Sequence, residues 1–363
     1  MDKQRLQKID NLFVTALNNC IFPGAGFAFS HWSKNAYNRC ANYYGDAQQE
    51  PEKKKLSKDH FFDLASLTKP LATVPVLLSL FEKKSLSPET RLLDIYSSCP
   101  VDKQNITIEQ LMSHGAGFAA HREYFHELIK IPQTKRKKFL LQILLEEELI
   151  AIPGQSHTYS DLGFILLGLI IEETTGKSLG ELARKLIYQP SGLENDLIFP
   201  GLNKNRDRCY VSTENCLWSG KMLSGRVHDD NCRAVGGVAG HAGLFGTVQG
   251  VLAFCEQLLD QWKGRGHHPA YSNRLLRKVL SRVNGSAWTM GFDTVSEKGS
   301  SSGSYFSKES VGHLGFTGTS FWIDPEKECI VVLLTNRVHP SRENWKIKKF
   351  RPVFHDTLLE GIR

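Results

Sequence analysis

The amino-acid sequence predicts an α/β fold in which one sheet is built from both ends of the chain. Three observations predict it: strand patterns occur near residues 24–44 and again near residues 311–334, and helical spacing dominates the stretch between them. A length of 363 residues accommodates two domains, or one large α/β unit with an insertion. We therefore expect a sheet that is interrupted by a helical segment.

The individual elements follow from the spacing of apolar residues and from the glycines and prolines that end each run. Near the N-terminus, for example, Ile9, Phe13 and Ala16 recur at the spacing of one helix face. Helical patterns cover residues 4–19, 107–113, 136–149, 160–175, 179–188, 250–262, 272–283 and 345–359, and another follows residues 61–66 and ends near Lys84. Strand patterns cover residues 24–30, 36–44, 311–314, 320–323 and 329–334. The charged segment 48–58 and the glycine-rich segment 201–246 are typical of loops.

Composition and charge exclude several classes of protein. The chain is 41% hydrophobic and 23% charged, as in a folded enzyme, and no apolar run approaches the roughly 20 residues of a membrane helix. The 45 Lys and Arg against 38 Asp and Glu give a net charge of +7 that is scattered along the chain, so we expect no nucleic-acid partner. The N-terminus lacks the apolar core of a signal peptide, which favours a cytoplasmic protein.

The eight cysteines predict neither a disulfide framework nor a metal site. They are widely spaced and form no CxxC pair, so most are expected to be small buried hydrophobic residues. A metal site formed by Cys209, Cys216 and Cys232 with His228 is the alternative, but this spacing fits no usual zinc pattern. We therefore expect no metal ion.

Ser66-Leu67-Thr68-Lys69 is the first candidate for catalysis. A Ser and a Lys three residues apart at the start of a helix share one face, so the amine can activate the weakly nucleophilic hydroxyl. The alternative is a helix-capping Ser followed by a surface Lys. The apolar run of residues 70–80 argues against that alternative, because it predicts that Lys69 is buried.

Tyr159-Ser160-Asp161 is the second candidate; it follows a Pro-Gly turn and precedes an apolar helix. A tyrosine at the tip of such a turn can carry a proton between a nucleophile and a leaving group. In isolation, the motif is more typical of a Ser or Asp helix cap beside a half-buried Tyr. A second match, Tyr-Ser-Asn at residues 271–273, opens a plain amphipathic helix, and we interpret it as capping.

The third candidate is the glycine-rich stretch from Gly312 to Thr319. Glycines in a strand let a ligand or another backbone approach closely, and exposed edge amides can bind a substrate strand or an oxyanion. A bare glycine-rich strand is more often a bulge or a close crossing, but this one also carries His313. The GxSxG match at residues 299–303 lacks the strand-turn-helix context of a nucleophile elbow and is excluded.

The order of the three motifs resembles the active-site series of the penicillin-recognising serine hydrolases, which is SxxK, YxN and KTG or HTG. Separations of 93 residues from Ser66 to Tyr159 and 154 residues from Tyr159 to His313 suit the class C β-lactamase-like branch. The resemblance covers about residues 22–356. Residues 227–231, 236–245, 312–325 and 334–340 further resemble β-lactamase-related hydrolases, some of which are similar to muramyl-L-alanine amidases.

The resemblance implies a β-lactamase/transpeptidase-like fold, an antiparallel sheet flanked by helices with a mostly helical inserted domain. We divide the chain accordingly into a discontinuous sheet domain, residues 1–85 and 230–363, and a helical domain, residues 86–229. The active site is expected in the cleft between them.

The resemblance also implies roles for individual residues. Ser66 would be the acylated nucleophile, Lys69 its base or electrostatic partner, and Tyr159 the general acid and base, while His313 stands where the family often has Lys. The backbone amides of Ser66 and Phe316 would form the oxyanion hole. The residues expected to contact substrate are Asp161, Leu314, Gly315 and Thr317. No metal or organic cofactor is implied.

Two positions, Asp161 and Leu314, depart from the family pattern, and the histidine at position 313 points to the same conclusion. Asp161 replaces the usual Asn and places an acceptor-only group where an amide would donate to a substrate carbonyl. Leu314 replaces a hydroxyl residue that usually helps to hold a terminal carboxylate, and His313 lacks a permanent positive charge. These departures disfavour an efficient β-lactamase or D-alanyl-D-alanine carboxypeptidase.

We therefore predict a cytoplasmic serine hydrolase that cleaves an amide in peptidoglycan-derived muropeptides, as an N-acetylmuramoyl-L-alanine amidase does. The partner would be a muropeptide-like small-molecule or peptide substrate. The sequence does not indicate which oligomeric state the protein adopts. The alternatives are an esterase, a β-lactamase or a D-Ala-D-Ala carboxypeptidase on the same machinery. A catalytically inactive, peptide-binding family member is the remaining alternative.

Overall fold

The computed structural model describes residues 3–202, 208–296 and 299–362, and its central feature is a large antiparallel sheet. The strands are β1 (Gly24–Ser33), β2 (Ala36–Gln48), β3 (Lys54–Lys55), β4 (Phe62–Asp63), β5 (Leu197–Ile198), β6 (Ser212–Asn215), β7 (Met222–Ser224), β8 (Phe245–Gly246), β9 (Asp293–Thr294), β10 (Val311–Leu314), β11 (Ser320–Asp324) and β12 (Cys329–Thr335). Seven of them form one sheet in the order β3-β2-β1-β12-β11-β10-β9. β1 pairs with β12 from Ala25 opposite Thr335 to His31 opposite Cys329, so both chain ends build the sheet, as predicted.

Helices surround this sheet and fill the middle of the sequence. They are α1 (Lys3–Asn18), α2 (Val74–Glu82), α3 (Leu92–Ile95), α4 (Ile108–Met112), α5 (Phe125–Leu128), α6 (Gln133–Glu146), α7 (Asp161–Thr175), α8 (Leu179–Leu182), α9 (Asp230–Ala234), α10 (Val248–Lys263), α11 (Asn273–Leu280) and α12 (Ile347–Leu359). Each helix predicted from apolar spacing is present, with ends shifted by a few residues. The helix predicted after residues 61–66 is composite, because a 3-10 turn (Ala65–Leu67) and a π turn (Lys69–Thr73) precede α2.

Two segments that we predicted as loops contain strands. β3 lies in the charged segment 48–58, where the Nζ atoms of Lys53 and Lys55 lie 3.3 Å and 3.0 Å from the carboxylate of Asp46 on β2. The segment 201–246 contains β6, β7, α9 and β8, and its residues 203–207 lie outside the described residues. Strands this short carry no periodicity, and their partners are distant in sequence, so local patterns cannot predict them.

One face of the sheet is covered by the first and last helices of the chain. α1 and α12 pack on it around an aromatic cluster, in which Phe13 is central. The Phe13 ring stacks on Tyr44 with a centroid distance of 4.3 Å and meets Phe350 and Phe354 edge-on, each at 5.3 Å. This cluster therefore joins the two chain ends through one core.

Replacing Phe13 with Ala is expected to lower the free energy of unfolding by about 3–5 kcal/mol, because it leaves a cavity in a fully buried aromatic cluster. Urea unfolding measures this loss. Val14→Ala is the matched control, since Val14 is the next residue of α1 and its side chain is 51% exposed. A loss below 1 kcal/mol for Phe13→Ala would contradict the packing of α1 on the sheet.

The opposite face of the sheet carries the main core. α2, α7 and α10 contribute buried aliphatic side chains, and α10 packs against β1 and β12. A small sheet of order β4-β8-β5 lies at the edge of this core and joins three distant parts of the chain immediately before Ser66. The division into residues 1–85 with 230–363 and residues 86–229 remains a prediction. Among the described residues, no helix has both the length and the apolar character that crossing a bilayer requires.

Candidate active site

Ser66 lies in a strained turn directly after β4. The preceding residue, Ala65, has a φ of +48°, in the left-handed region that non-glycine residues rarely adopt. The buried carboxylate of Asp63 stabilises this turn, because it accepts a 2.9 Å hydrogen bond from the Ala65 amide and a 2.7 Å hydrogen bond from the His228 amide. The Ser66 side chain remains partly exposed. Strain of this kind before an accessible hydroxyl is typical of functional sites.

Lys69 joins the first two sequence motifs. Its side chain is fully buried (0% exposed), and its Nζ donates to Ser66 Oγ at 3.1 Å, to the Tyr159 hydroxyl at 2.8 Å and to Asp161 Oδ1 at 2.7 Å. An ammonium group has three N–H donors, and here all three are used. The prediction that Lys69 is buried near Ser66 is therefore confirmed.

The Lys69–Asp161 pair fixes the charge at the centre of the site. Burial would lower the pKa of Lys69, but the carboxylate of Asp161 and the hydroxyl of Tyr159 outweigh it, so the pKa of Lys69 is raised. Burial would likewise raise the pKa of Asp161, but the Lys69 ammonium and a hydrogen bond from His121 hold that pKa well below its usual range. Lys69 is thus positive at neutral pH, which favours its electrostatic role over that of a base.

Asp161→Asn is expected to destabilise the protein by about 3–5 kcal/mol at neutral pH, because it leaves the Lys69 ammonium buried without its counter-charge. The wild type gains this stability above the unfolded-state pKa of about 4 and loses it progressively as the pH falls below that value. Urea unfolding between pH 3 and pH 7 should therefore show a shallower acid loss in Asp161→Asn than in the wild type. The exposed Asp59→Asn is the control, and equal acid dependence in both Asn variants would contradict the buried pair.

The ring of Tyr159 packs against the ring of His114. The two rings lie 4.7 Å apart between centroids, and His114 Nδ1 accepts a 3.1 Å hydrogen bond from the Ser160 amide. Burial lowers the pKa of His114 well below its ordinary value, so the ring is a neutral acceptor. Burial also raises the pKa of Tyr159, although the Lys69 charge opposes it, so the phenol is protonated at neutral pH.

The second motif also contains the helix cap that we gave as its alternative interpretation, and Ser160 provides that cap. Ser160 Oγ accepts a 3.3 Å hydrogen bond from the Gly163 amide at the start of α7 and donates to the Ala119 carbonyl at 2.7 Å. Ser160 therefore caps α7 while Tyr159 faces Lys69. At residues 271–273, Ser272 caps α11, as predicted.

His313 on β10 faces the same group of side chains. Its ring lies 6.0 Å from the Tyr159 ring, and its Nδ1 is 2.8 Å from the Leu314 carbonyl. A carbonyl accepts but cannot donate, so Nδ1 carries the proton and Nε2 presents a lone pair. Burial, together with the Lys69 charge, lowers the pKa of His313 to about 3, so the ring is neutral.

The turn after β10 is bonded to the backbone that precedes Ser66. Thr317 Oγ1 donates to the Asp63 carbonyl at 2.7 Å, and Thr319 Oγ1 donates to the Leu64 carbonyl at 3.1 Å. A Cβ at Gly315 would lie only 2.7 Å from that Leu64 oxygen, so the approach requires glycine. The Phe316 amide, which makes no hydrogen bond within the part of the chain that is described, is thereby held beside the Ser66 turn.

Two of the predicted substrate contacts do not face the group formed by Ser66, Tyr159 and His313. Thr317 is only 1% exposed and its hydroxyl is committed to the Asp63 carbonyl, so it positions the Ser66 turn and does not face a substrate. Leu314 lines a cavity beside α12 together with Phe306 and Arg351, on the face of β10 opposite to His313. Alternation along the strand explains this placement, which the motif alone does not show.

Further side chains reach the site, and none of them was assigned an individual role from the sequence. His121 Nδ1 lies 3.5 Å from Asp161 Oδ2, and His241 Nε2 lies 2.9 Å from Asp229 Oδ1. Burial would raise the pKa of Asp229, but His241 lowers it to about 2. Asp161 and Asp229 are therefore both anionic at neutral pH, and each lies beside a group that offsets its charge. No local signal predicts these pairings, because each joins residues from different segments.

A metal centre finds no support in the described residues. Within residues 3–202, 208–296 and 299–362, no group of three or more His, Cys, Asp or Glu side chains is arranged to hold an ion. Cys209 is exposed, whereas Cys216 and Cys232 are buried thiols. His228 Nε2 is instead 3.0 Å from Glu214 Oε2.

An accessible serine in contact with a buried lysine, a tyrosine on the same lysine and a glycine-rich turn beside them define the class of SxxK serine hydrolases. The comparison with known families agrees. The family model described as Beta-lactamase matches residues 9–349, so the chain belongs to the Beta-lactamase family.

Relatives and solved structures extend this assignment. A protein of Escherichia coli strain K12 named "Putative D-alanyl-D-alanine carboxypeptidase" is 28% identical over 342 residues, which cover 84% of this chain and 75% of that protein. The octameric penicillin-binding protein homologue from Pyrococcus abyssi superposes with a TM-score of 0.75 at 18% identity, over 99% of this chain and 78% of that one. Unliganded simvastatin synthase (LovD) from Aspergillus terreus gives a TM-score of 0.72 at 16% identity, over 98% of both chains. These structures share the fold predicted from the motifs.

Proposed function

We propose that this protein is an amidase that releases the peptide from N-acetylmuramic acid in peptidoglycan-derived muropeptides, through an acyl-enzyme on Ser66. The observation that carries the proposal is the charge around His313. This ring is neutral, and the nearby Lys69 ammonium is offset by the Asp161 carboxylate. Among the described residues, therefore, neither His313 nor Lys69 offers an uncompensated positive charge to a terminal carboxylate beside the scissile bond. A cytoplasmic location, where imported wall fragments occur, belongs to the same proposal.

The geometry supports a proton relay through Tyr159. Ser66 Oγ attacks the amide carbonyl, and the Ser66 proton passes to the Tyr159 oxygen while the Tyr159 proton passes to the leaving nitrogen. The C–N bond breaks, a Ser66 ester forms, and the peptide leaves with a free amine. The Phe316 and Ser66 amides hold the oxyanion, and the Lys69 ammonium stabilises negative charge on both hydroxyl oxygens. A water molecule then hydrolyses the ester by the reverse relay.

The carboxylate of Asp161 favours a substrate that carries a sugar on the acyl side of the scissile bond. An ionised carboxylate only accepts hydrogen bonds, so it pairs with substrate O–H and N–H groups and repels carbonyl oxygens. N-acetylmuramic acid presents hydroxyl and N-acetyl N–H donors on the sugar ring that bears its lactyl acyl group. A peptidyl acyl group would instead present a carbonyl where the family's usual Asn donates.

A second candidate function is D-alanyl-D-alanine carboxypeptidase, which the names of the relatives favour. Both candidates use the same nucleophile and differ in the bond that is cleaved. Incubation of a MurNAc-pentapeptide with the wild type and with Ser66→Ala, followed by mass spectrometry of the products, separates them. We expect intact pentapeptide and free N-acetylmuramic acid from the wild type alone. Loss of only the terminal D-Ala would establish the carboxypeptidase, and unchanged substrate would refute both.

A further inference from the structure

A cavity of about 950 Å³ lies behind β10, on the face opposite to His313. Its wall comprises Leu314, the N-terminal half of α12 and the serine- and glycine-rich loop that contains the excluded GxSxG match. Among the described residues, four cationic side chains line it against one acidic side chain, that of Glu309. The cations are Arg282, Lys308, Lys348 and Arg351. The cavity therefore concentrates positive charge that elsewhere in the chain is scattered.

Arg351 differs from the other cations of the cavity because it is buried and fixed by a hydrogen bond. The side chain is only 5% exposed, and its Nη2 donates to the Thr319 carbonyl at 3.0 Å. Its Nε is buried and has no hydrogen-bond partner within the described part of the chain. None of the four cations forms an ion pair with a carboxylate of the described residues. A buried guanidinium without a counter-charge is costly, so an anionic ligand would stabilise the site.

The cavity is connected to the candidate active site through two contacts. Leu314, the residue after His313, lines the cavity, and Arg351 Nη2 donates to the carbonyl of Thr319, in the turn that holds the Phe316 amide. Pairing of β10 with β9 includes only Val311 and Gly312, so the edge of β10 beyond Gly312 is not covered by β9. A leaving group that departs beside Tyr159 can therefore extend around this end of the strand.

We propose that the cavity binds the carboxylates of an acidic leaving peptide. The identity of that peptide rests on the proposed function: in a muropeptide, the residue after L-Ala is a γ-linked D-Glu, which carries its carboxylate one residue beyond the scissile bond. A terminal D-Ala would instead place its carboxylate beside neutral His313. A volume of about 950 Å³ is sufficient for a short peptide.

Calorimetric titration with the dipeptide L-Ala-D-Glu, which has the α-carboxylate that D-Glu keeps in the leaving peptide and a free γ-carboxylate, tests the cavity without any catalytic step. We expect the wild type and Ser66→Ala to bind it equally at low ionic strength. The dipeptide with both carboxyls converted to amides should bind about tenfold more weakly or worse, because two charge-assisted contacts are lost.

A pair of double variants locates the binding. Lys308→Gln/Lys348→Gln should weaken dipeptide binding about fivefold, since it removes two cations of the cavity. Lys138→Gln/Lys349→Gln removes the same net charge at exposed positions outside the cavity and should bind as the wild type does. Equal affinities for acid and amide, equal effects of the two double variants, or no binding to the wild type would each overturn the proposal.

Failure of this inference and failure of the proposed function give different results. Dipeptide binding that depends on Lys308 and Lys348, without cleavage of MurNAc-peptides, would retain the cavity and refute the amidase. Release of peptide from N-acetylmuramic acid without dipeptide binding would retain the amidase and refute the cavity.

Discussion

Replacing Ser66 with Ala is expected to lower turnover of the amide substrate by roughly 10⁴-fold or more, because the acyl-enzyme cannot form. The change removes one acceptor of the buried Lys69 ammonium, so the free energy of unfolding should fall by about 1–3 kcal/mol while the fold stays intact. Steady-state kinetics with a MurNAc-peptide and urea unfolding measure the two effects separately.

Ser85→Ala is the matched control for this experiment, because Ser85 is exposed and lies after α2, away from the site. It should retain wild-type turnover. Substantial activity in Ser66→Ala, with its fold intact, would show that another group is the nucleophile.

Tyr159→Phe is expected to lower turnover by about 10²–10⁴-fold, the usual contribution of a positioned acid or base. The substitution removes only the hydroxyl that Lys69 contacts at 2.8 Å, and the ring can still pack on His114. The measurement is the rate of peptide release at saturating substrate, where chemistry rather than binding is compared.

Tyr271→Phe provides the control at the rival Tyr-Ser-Asn match. Tyr271 is buried and packs in the main core at the start of α11. Full activity in Tyr159→Phe together with a large loss in Tyr271→Phe would reverse our assignment of the second motif.

The sequence predicts the parts of this site that depend on short spacing. Ser66 and Lys69 are three residues apart at a helix start, so their contact follows from helix geometry. Tyr159 and His313 were brought to the same site only by the resemblance of the motif order. The charge of Lys69 was not predictable, because it depends on Asp161, which is 92 residues away.

The residues that sequence reasoning missed share one property: they act through partners far away in the chain. His114 supports Tyr159, Asp63 supports the Ser66 turn through the His228 and Ala65 amides, and Arg351 reaches the turn after β10. None of them was assigned a role from the sequence, because each role is defined by packing. Thr317 shows the converse, because its place in a motif suggested substrate contact, whereas the fold buries it.

The large elements of the fold were more predictable than the small ones. Long runs such as α7 and β12 carry enough apolar residues for their period and burial to be recognised. The two-residue strands β4, β5 and β8 form only because distant segments meet beside Ser66. The sheet that positions the nucleophile is therefore a product of tertiary structure.

Trapping the acyl-enzyme tests the central claim most directly. The wild type would be mixed with a MurNAc-pentapeptide, quenched in acid within the first turnover, and the Ser66-containing peptide examined by mass spectrometry. We predict an N-acetylmuramoyl adduct on Ser66 that has lost the entire peptide and is absent from Ser66→Ala. Turnover without an adduct on Ser66, or an adduct that retains the peptide and lacks only the terminal D-Ala, would contradict the amidase.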